Sequence, residues 1–224
     1  MNDLRSSPDH ADLPLLDPLL SADESRRDLT ICAILLAAGS SERFGEHNKL
    51  LEPIEGEPMV RRSVAVLLES TVDEIAVVVG HEADVVERAI AGIPGCILQN
   101  AQHDEGIGTS IHRGVEHAIR IDADAVLVSL ADMPFVKPST ITRLIAAYGA
   151  GLGDPLAPTY RGKRGNPVLF GRQYFEPLRS VAPDSGGRDI ITSSPTTARI
   201  TTADPGIITD IDSLQDLDFS SDLL

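Results

Sequence analysis

A short loop of small residues carries the strongest chemical signal in this sequence. It runs Leu36-Ala37-Ala38-Gly39-Ser40-Ser41-Glu42-Arg43-Phe44-Gly45, with Lys49 close behind. Small side chains let a ligand approach the backbone, and free N–H groups in such a loop bind anions. Arg43 and Lys49 add two positive charges at the same place. The combination predicts a phosphate site, and a plain strand-to-helix turn with surface cations is the alternative.

This loop matches neither of the two common phosphate-binding motifs. A Walker A loop requires Gly-Lys-Ser/Thr after its second glycine, whereas Gly45 is followed by Glu46 and His47. A dinucleotide fingerprint requires G-x-G-x-x-G, and Gly39 and Gly45 have a different spacing. The phosphate site that we expect is therefore of another kind.

Two carboxylates follow apolar segments and are suited to a hard cation. Asp132 comes just after the apolar run that ends at Leu130. Asp212 follows Ile207-Ile208, and alternation along an extended chain places Asp210 on its side. Mg²⁺ prefers carboxylate oxygens in proteins, so both aspartates are candidate ligands. A turn or helix-cap role is the alternative for each of them.

A second glycine-containing segment precedes a predicted helix. Gly106 and Gly108 permit close approach to the backbone, and Thr109 and Ser110 place hydroxyl groups at the start of that helix. These groups suit recognition of a base or a ribose. An ordinary capped loop is the alternative.

Alternating strands and helices are predicted to position these groups. Apolar runs predict strands at residues 31–36, 75–79, 96–98 and 125–130. Helical patterns fall between and after them, at residues 58–69, 83–91, 110–119 and 139–148. Strands separated by helices form a parallel sheet with helices on both faces, and ligands bind beyond the carboxyl ends of its strands. The motifs should therefore meet at one edge of an α/β sheet.

The alternation of predicted strands and helices ends after residue 149. Residues 156–160 and 167–170 predict two short strands around a turn at 161–165, which indicates a β-hairpin. We expect residues 151–203 to form a small elaboration that covers the open end of the sheet. The predicted fold is a doubly wound, mostly parallel α/β domain over residues 29–224, with this hairpin added.

Residues 1–28 have the composition of a tail. They contain three prolines and seven acidic residues against three arginines. Such a segment buries little apolar surface, so disorder is expected. A short docking turn built from its scattered leucines is the alternative.

Charge and composition limit the class of protein. The 224 residues carry a formal net charge of −15, which argues against a protein that grips nucleic acid through its whole surface. We find neither a signal peptide nor an apolar run of membrane-spanning length, so no membrane association is expected. Cys32 and Cys96 lie in apolar runs and are expected to be buried, reduced thiols of a cytoplasmic protein. His47, His103 and His112 receive no role.

Taken together, the motifs resemble those of the MobA-like nucleotidyltransferases, and most closely the molybdenum cofactor cytidylyltransferase branch. The likeness extends over residues 31–217. Besides the segments above, it includes Gly165-Asn166-Pro167 and Asp184-Ser185-Gly186-Gly187-Arg188. The whole set in this order is more specific than any single motif. Residues 1–28 lie outside the resemblance.

The resemblance implies a Rossmann-like nucleotidyltransferase fold that binds CTP with Mg²⁺ and a molybdopterin-type phosphorylated acceptor. It implies that Lys49, Arg43 and Asp132 are catalytic and that Asp132 and Asp212 ligate the metal. It further implies that Asn166 and Arg188 face the acceptor. The nucleotide-binding residues that it implies are Leu36, Ala37, Ala38, Gly39, Ser40, Lys49, Gly106, Gly108, Thr109 and Ser110.

The expected activity is transfer of CMP from CTP to the terminal phosphate of molybdopterin, with release of pyrophosphate. Within the same class, a guanylyltransferase on that cofactor and a cytidylyltransferase on another phosphorylated small molecule stay open. A different class is a non-catalytic chaperone that carries nucleotide or cofactor to a client molybdoenzyme. Two carboxylates at separate strand ends favour metal-dependent chemistry over binding alone.

Overall fold

The computed structural model describes residues 12–13, 29–41, 44, 48–213 and 216. One mixed β-sheet with helices on both faces organises this part of the chain. The strands are β1 (Asp12–Leu13), β2 (Ile31–Ala37), β3 (Pro53–Ile54), β4 (Glu57–Pro58), β5 (Glu74–Val79), β6 (Cys96–Gln99), β7 (Ala125–Leu130), β8 (Leu156–Tyr160), β9 (Lys163–Arg164), β10 (Val168–Gly171) and β11 (Ala198–Thr201). The helices are α1 (Met59–Leu68), α2 (Ala83–Ala89), α3 (Ile107–Arg120), α4 (Pro138–Gly149), α5 (Phe175–Arg179) and α6 (Arg188–Ser193).

Within the described residues, nine strands form the main sheet in the order β1-β11-β8-β10-β7-β2-β5-β6, with β9 paired to β8. Strand β10 runs antiparallel to both of its neighbours, and β9 is antiparallel to β8. The pairs β2–β5, β2–β7, β5–β6 and β8–β11 are all parallel. The expected mostly parallel α/β sheet is thus confirmed.

The two faces of the sheet bury separate cores because side chains alternate along each strand. In β2, Ile31 and Leu35 face a core that includes side chains of α1, α2 and α4. Ile34 faces a second core, which includes side chains of α3, α5 and α6. All seven residues of β2 are buried, as the unbroken apolar run predicts for a central strand. Helices therefore cover both faces of a doubly wound sheet.

The elements after residue 149 correct one prediction. The hairpin forms, with β9 as the start of its second arm, but it does not cover an open end of the sheet. Strand β10 instead pairs with β7 over four residue pairs and links β7 to β8. Its residues are buried, and pairing them satisfies backbone groups that would otherwise stay exposed at the edge of β7. Residues 156–171 therefore extend the sheet sideways.

Helix α3 begins at Ile107, three residues before the predicted start. Gly106 precedes it with φ +128°, a conformation that favours glycine and separates the helix from the preceding turn. Gly108 lies inside the first turn, where its pattern had indicated a loop. The glycines therefore belong to the start of helix α3, and the loop between β6 and α3 is shorter than expected.

Asp12 and Leu13 form a short strand that pairs in parallel with Arg199 and Ile200 of β11. The other residues of the predicted tail at 1–28 lie outside the described residues, as does most of residues 214–219. No helix in the described part of the chain is long and apolar enough to cross a membrane. Cys32 is buried as predicted, whereas Cys96 is only partly buried because the short edge strand β6 leaves it near the surface.

Candidate active site

Three side chains from distant parts of the chain meet at the carboxyl edge of the sheet. The Lys49 Nζ donates to Asp132 Oδ2 at 2.7 Å and to Asp212 Oδ1 at 2.9 Å. The exposed fractions of the three side chains are 15%, 22% and 31%, respectively. The site is thus a partly buried lysine held between two carboxylates.

Local structure places each member of this group. Lys49 opens a 3-10 turn, Lys49–Leu51, which the side chain of Asn48 caps by accepting from the Leu50 N–H at 3.1 Å. Asp132 follows the end of β7. The Ala131 N–H donates to the Leu36 carbonyl at 3.1 Å, and this hydrogen bond holds the start of the segment beside the end of β2. The Ile211 N–H donates to the Asp132 carbonyl at 2.9 Å and so brings Asp212 alongside.

The electrostatics of the group favour a charged lysine. Burial acts to lower the pKa of Lys49, but the charges and hydrogen bonds of Asp132 and Asp212 outweigh it and raise the pKa above its ordinary value. The ammonium in turn offsets the repulsion between the two carboxylates. Lys49 is therefore a fixed positive charge at neutral pH.

The carboxylates fit a divalent cation that arrives with a substrate. Asp132 Oδ1 is buried and has no hydrogen-bond partner in the part of the chain that the structure describes. Groups of three or more potential protein ligands are absent from the described ranges. Mg²⁺ in nucleotide sites typically takes one or two carboxylates and completes its shell with phosphates and water. Asp132 and Asp212 suit that mode of binding.

A cleft of about 660 Å³ opens beside these three side chains. Its wall contains the small-residue loop after β2 and the amino end of α3. The predicted residues that line it are Leu36, Ala38, Gly39, Ser40, Lys49, Gly106, Ser110, Asp132 and Asp212. The structure therefore brings together the phosphate loop, the second glycine segment and both metal candidates, as the carboxyl-edge argument predicts.

Three predicted nucleotide-binding residues have structural roles instead of lining the cleft. Ala37 packs into the core on one face of the sheet. Gly108 lies against the 182–183 backbone, and a Cβ there would approach the Ala182 carbonyl oxygen to 2.3 Å. The Thr109 hydroxyl lies 2.7 Å from the Gly106 carbonyl and accepts from the Asn100 amide at 2.9 Å. These contacts hold the end of α3 in place.

The predicted acceptor residues lie outside the cleft wall. Asn166 is held by a hydrogen bond from its N–H to the Ile207 carbonyl at 2.9 Å, and Arg188 is exposed at the start of α6. Arg43 falls outside the described residues, together with Gly45 and His47. Asp210, the expected companion of Asp212, is exposed and does not line the cleft. The roles of Asn166, Arg188 and Arg43 stay predictions.

The structure adds residues that the sequence analysis did not select. Asn100 is buried after β6, and its amide donates to Thr109 Oγ1 and to Ser110 Oγ at 2.9 and 3.0 Å. His81 and His103 line the cleft, with ring centroids 6.2 Å apart. Asn100 and His81 are polar residues that follow closely after strands, the edge strand β6 and the buried strand β5. That same signal selected Asp132 and would have found them.

The family model of the MobA-like NTP transferase domain matches residues 33–198. This match covers most of the chain and includes the loop after β2, Lys49 and Asp132. The protein therefore belongs to the MobA-like NTP transferase domain family, a class of nucleotidyltransferases.

One curated relative is similar to about half of this chain. The bifunctional protein GlmU of Bordetella parapertussis is 33% identical over 122 residues, which are 53% of this chain and 27% of that protein. The chain thus spans only about a quarter of the length of that curated relative. The remainder of GlmU lies outside this alignment.

Two solved structures share the fold. Rv0371c of Mycobacterium tuberculosis H37Rv, in a complex with manganese, has a TM-score of 0.71 at 22% identity over 85% of this chain and 97% of its own. A nucleotidyl transferase from Methanothermobacter thermautotroptrophicus has a TM-score of 0.71 at 24% identity, over 87% of this chain and 97% of its own. At these identities the likeness establishes the fold alone.

Proposed function

We propose that this protein transfers CMP from CTP to the terminal phosphate of a molybdopterin-type acceptor and releases pyrophosphate. The observation that carries the proposal is the Lys49 ammonium, held within 2.9 Å of Asp132 and Asp212 at the wall of a nucleotide-sized cleft. Family membership supports nucleotidyl transfer. The choice of CTP and of acceptor rests on the resemblance of the loop after β2, the 106–110 segment and the 165–167 and 184–188 segments to the cytidylyltransferase branch.

Asp132 and Asp212 would hold Mg²⁺ in this activity. The unpartnered, buried Asp132 Oδ1 and the oxygen-only ligand set support the assignment, as does the manganese complex of a structural neighbour. When bound, the ion would supply positive charge to the triphosphate and to the leaving pyrophosphate. This contribution requires no protein-derived covalent intermediate.

The remaining chemistry is positioning and charge stabilisation by this chain. The loop around Gly39 would receive phosphate oxygens on its backbone N–H groups. An acceptor phosphate oxygen attacks the α-phosphorus of CTP, a new P–O bond forms, and the bond to the β-phosphate oxygen breaks. Because the acceptor phosphate is already anionic, no general base is needed. Lys49 would stabilise charge on the α-phosphate oxygens as they pass through the transition state.

The immediate test is a matrix of nucleotides and acceptors. The purified protein is incubated with Mg²⁺, molybdopterin and each NTP in turn, and pyrophosphate release is measured. We expect CTP to be preferred, because a pocket that hydrogen-bonds its base can discriminate by on the order of 10⁴-fold. Equal or better kcat/KM with GTP would instead support a guanylyltransferase. Turnover with a different phosphorylated acceptor would redirect the acceptor assignment.

The effect of substituting Lys49 distinguishes an enzyme from a carrier that delivers cofactor to a client molybdoenzyme. Loss of a ground-state contact weakens binding, whereas loss of a transition-state contact lowers kcat. We expect Lys49→Ala to lower the single-turnover rate by roughly 10²–10³-fold, with a much smaller change in CTP affinity measured by calorimetry. Lys137→Ala, which removes an exposed lysine outside the cleft, is the control. Collapse of affinity at an unchanged saturated rate would identify a binding role only.

The proposed function also includes a cellular location, the cytoplasm. Burial raises the pKa of the Cys32 thiol to about 12, so this side chain stays a protonated thiol. Both cysteines are free, which suits a reducing cytoplasm where cofactor assembly would use this activity.

A further inference from the structure

Three arginines on one side of the sheet have no acidic partner. Arg164, Arg188 and Arg199 take part in no ion pair among the described residues, although the chain contains 34 acidic residues against 19 lysines and arginines. Arg164 Nη1 and Arg199 Nε are buried and have no hydrogen-bond partner in that part of the chain. Buried N–H groups of a charged side chain are costly when unpaired. An anionic ligand would pair with these N–H groups and remove that cost.

Strand register places the side chains of Arg164 and Arg199 on the same face of the sheet. Arg199 lies opposite Ala157 of β8, and Arg164 lies opposite Thr159, two residues further along the same strand. Side chains two residues apart in a strand share a face. Arg188 opens α6, and Ile191 of that helix packs in the same core as Ala157. The three arginines thus converge on one side of the end of β8.

The mutual effect of these charges agrees with that placement. Burial lowers the pKa of Arg164, and the neighbouring charges of Arg188 and Arg199 lower it further. Three like charges within range of one another destabilise the ligand-free protein. An anion between them would relieve both the repulsion and the unpaired N–H groups.

The arginines are connected to the candidate active site through two backbone segments. Gly165, directly after Arg164, packs so closely on residue 207 that a Cβ there would lie 2.2 Å from the Ile207 carbonyl oxygen, and this segment leads to Asp212. On the other side, Gly108 follows the cleft residue Ile107, and its N–H donates to the Pro183 carbonyl at 2.7 Å. The segment at Pro183 leads to Arg188. The cluster is therefore a neighbour of the cleft.

Its position outside the cleft indicates which part of a ligand it meets. Among the described residues, those that line the cleft around Lys49 and Asp132 do not include Arg164, Arg188 or Arg199. An anion at the arginines is thus separate from a phosphate that is held in the cleft and attacks the nucleotide.

We propose that Arg164 and Arg199, together with Arg188, form an oxyanion site that binds a second anionic group of the acceptor. The inference rests on the proposed function for the identity of the ligand, whereas the site itself rests on the arginines. The acceptor class is then a molecule with two anionic ends, one attacking CTP and one anchored near β8. A phosphate, a carboxylate or another oxyanion satisfies this chemistry.

Inorganic phosphate is the probe for the site, and the measurement is a ¹H–¹⁵N titration of the arginine Nε–Hε signals at constant ionic strength. These signals report on each side chain and separate this site from phosphate bound in the cleft. We expect saturable shifts of the Arg164 and Arg199 signals. Arg164→Gln should weaken phosphate binding at Arg199 on the order of 10- to 100-fold. Arg164→Lys, which keeps the charge and loses the fork, should fall between wild type and Arg164→Gln.

Arg172→Gln is the matched control, because Arg172 is an exposed arginine that pairs with Asp122 at the other end of β7. It should leave the phosphate titration unchanged. Wild-type signals that do not move, or that move without saturation and equally in Arg164→Gln, would overturn the site. In the transfer assay, Arg199→Gln should raise the KM for the acceptor and leave the KM for CTP unchanged. Saturable phosphate binding without any transfer activity would reject the proposed function and leave the oxyanion site standing.

Discussion

At the scale of single residues, the candidate site is a balance of three charges. Lys49 is 83 positions from Asp132 and 163 positions from Asp212, yet its ammonium contacts both. Removing one partner from a partly buried group of charges leaves the others uncompensated. Substitutions that keep size and hydrogen bonding are therefore the informative ones at this site.

Asp132→Asn removes one negative charge without changing the size of the side chain. We expect Mg²⁺-dependent pyrophosphate release to be abolished, because the metal loses a charged ligand and Lys49 loses a partner. The fold should survive, since the Asp132 carbonyl that accepts from Ile211 is untouched. Circular dichroism and pyrophosphate release are measured on the same preparation.

The control for this substitution is Asp210→Asn. Asp210 is an exposed aspartate two residues before Asp212 and does not line the cleft. It should retain wild-type turnover. Near-normal pyrophosphate release from folded Asp132→Asn would remove Asp132 from the metal site.

At the scale of elements, contacts beyond the β-sheet position the amino end of α3, which forms part of the cleft wall. Asn100 after β6 ties it down through two side-chain hydrogen bonds, and the segment at 182–183 covers it from outside. Gly108 permits that cover because its missing Cβ leaves room for a carbonyl oxygen. The cleft wall at Gly106 and Ser110 depends on this packing.

Gly108→Ala should destabilise the protein by about 1–3 kcal/mol, the usual cost of overpacking. In an open helix the same change would be stabilising, because alanine is the better helix former. Here the new Cβ would meet the Ala182 carbonyl oxygen at 2.3 Å. Urea denaturation measures the free energy of unfolding.

Gly39→Ala is the control for this substitution, since no atom lies within 4 Å of its added Cβ. An unchanged free energy of unfolding in Gly108→Ala would show that the 182–183 segment moves to make room for the new Cβ.

The carboxyl end of α3 carries a pH-dependent element. Burial lowers the pKa of His117, as does the charge of Arg120, and Glu74 opposes them only in part. The unfolded chain therefore takes up a proton at a higher pH than the folded protein does. Stability should fall as the pH drops through about 6.5, the ordinary pKa of histidine.

His117→Gln should reduce this acid sensitivity, because glutamine does not titrate. The melting temperatures of wild type and variant are measured at pH 7.5 and at pH 5. These values lie about one unit or more above and below the ordinary pKa of histidine. His112→Gln, at a half-buried position on the same helix, is the control and should retain the acid sensitivity of the wild type. Equal slopes for wild type and His117→Gln would place the acid response elsewhere.

At the scale of the whole molecule, an acidic protein presents its positive groups at selected places. Against a net charge of −15, Lys49 lies in the cleft and the three arginines lie beside the end of β8. Anionic substrates would otherwise be repelled by the overall charge. In the proposed function, a divalent metal and Lys49 would therefore account for binding of the nucleotide, and the arginines for binding of the acceptor.

Deletion of residues 1–28 should leave transfer activity and melting temperature nearly unchanged. The described strand in this region pairs only Asp12 and Leu13 with the outer edge of β11, away from Lys49 and Asp132. The composition of residues 1–28 allows them to bury little apolar surface. Differential scanning calorimetry and pyrophosphate release test the truncated chain against the full one. A large fall in melting temperature would show that this segment contributes to the stability of the domain.

Local patterns in the sequence determined the strands, the helices and much of the site. The unbroken apolar run at 31–36 marks a central strand. Small residues and carboxylates after such strands mark the ligand edge, which selected Gly39 and Asp132. These signals are local: burial requires apolar runs, and parallel strands end at one edge. The resemblance to the MobA-like family rested on the same motifs, and the match over residues 33–198 confirms it. The closer resemblance to the cytidylyltransferase branch stays a prediction.

Contacts between distant segments were decided only by the tertiary structure. Nothing local pairs β10 with β7 or joins Lys49 to Asp212, because both depend on how 224 residues close around two cores. The glycines at 106 and 108 look alike in sequence, yet one lines the cleft and the other receives the Ala182 carbonyl. The unpaired arginines at 164 and 199 likewise emerge only from strand register. Burial and partnership are properties of neighbours in space, so a motif predicts the type of chemistry and the fold decides which residues share it.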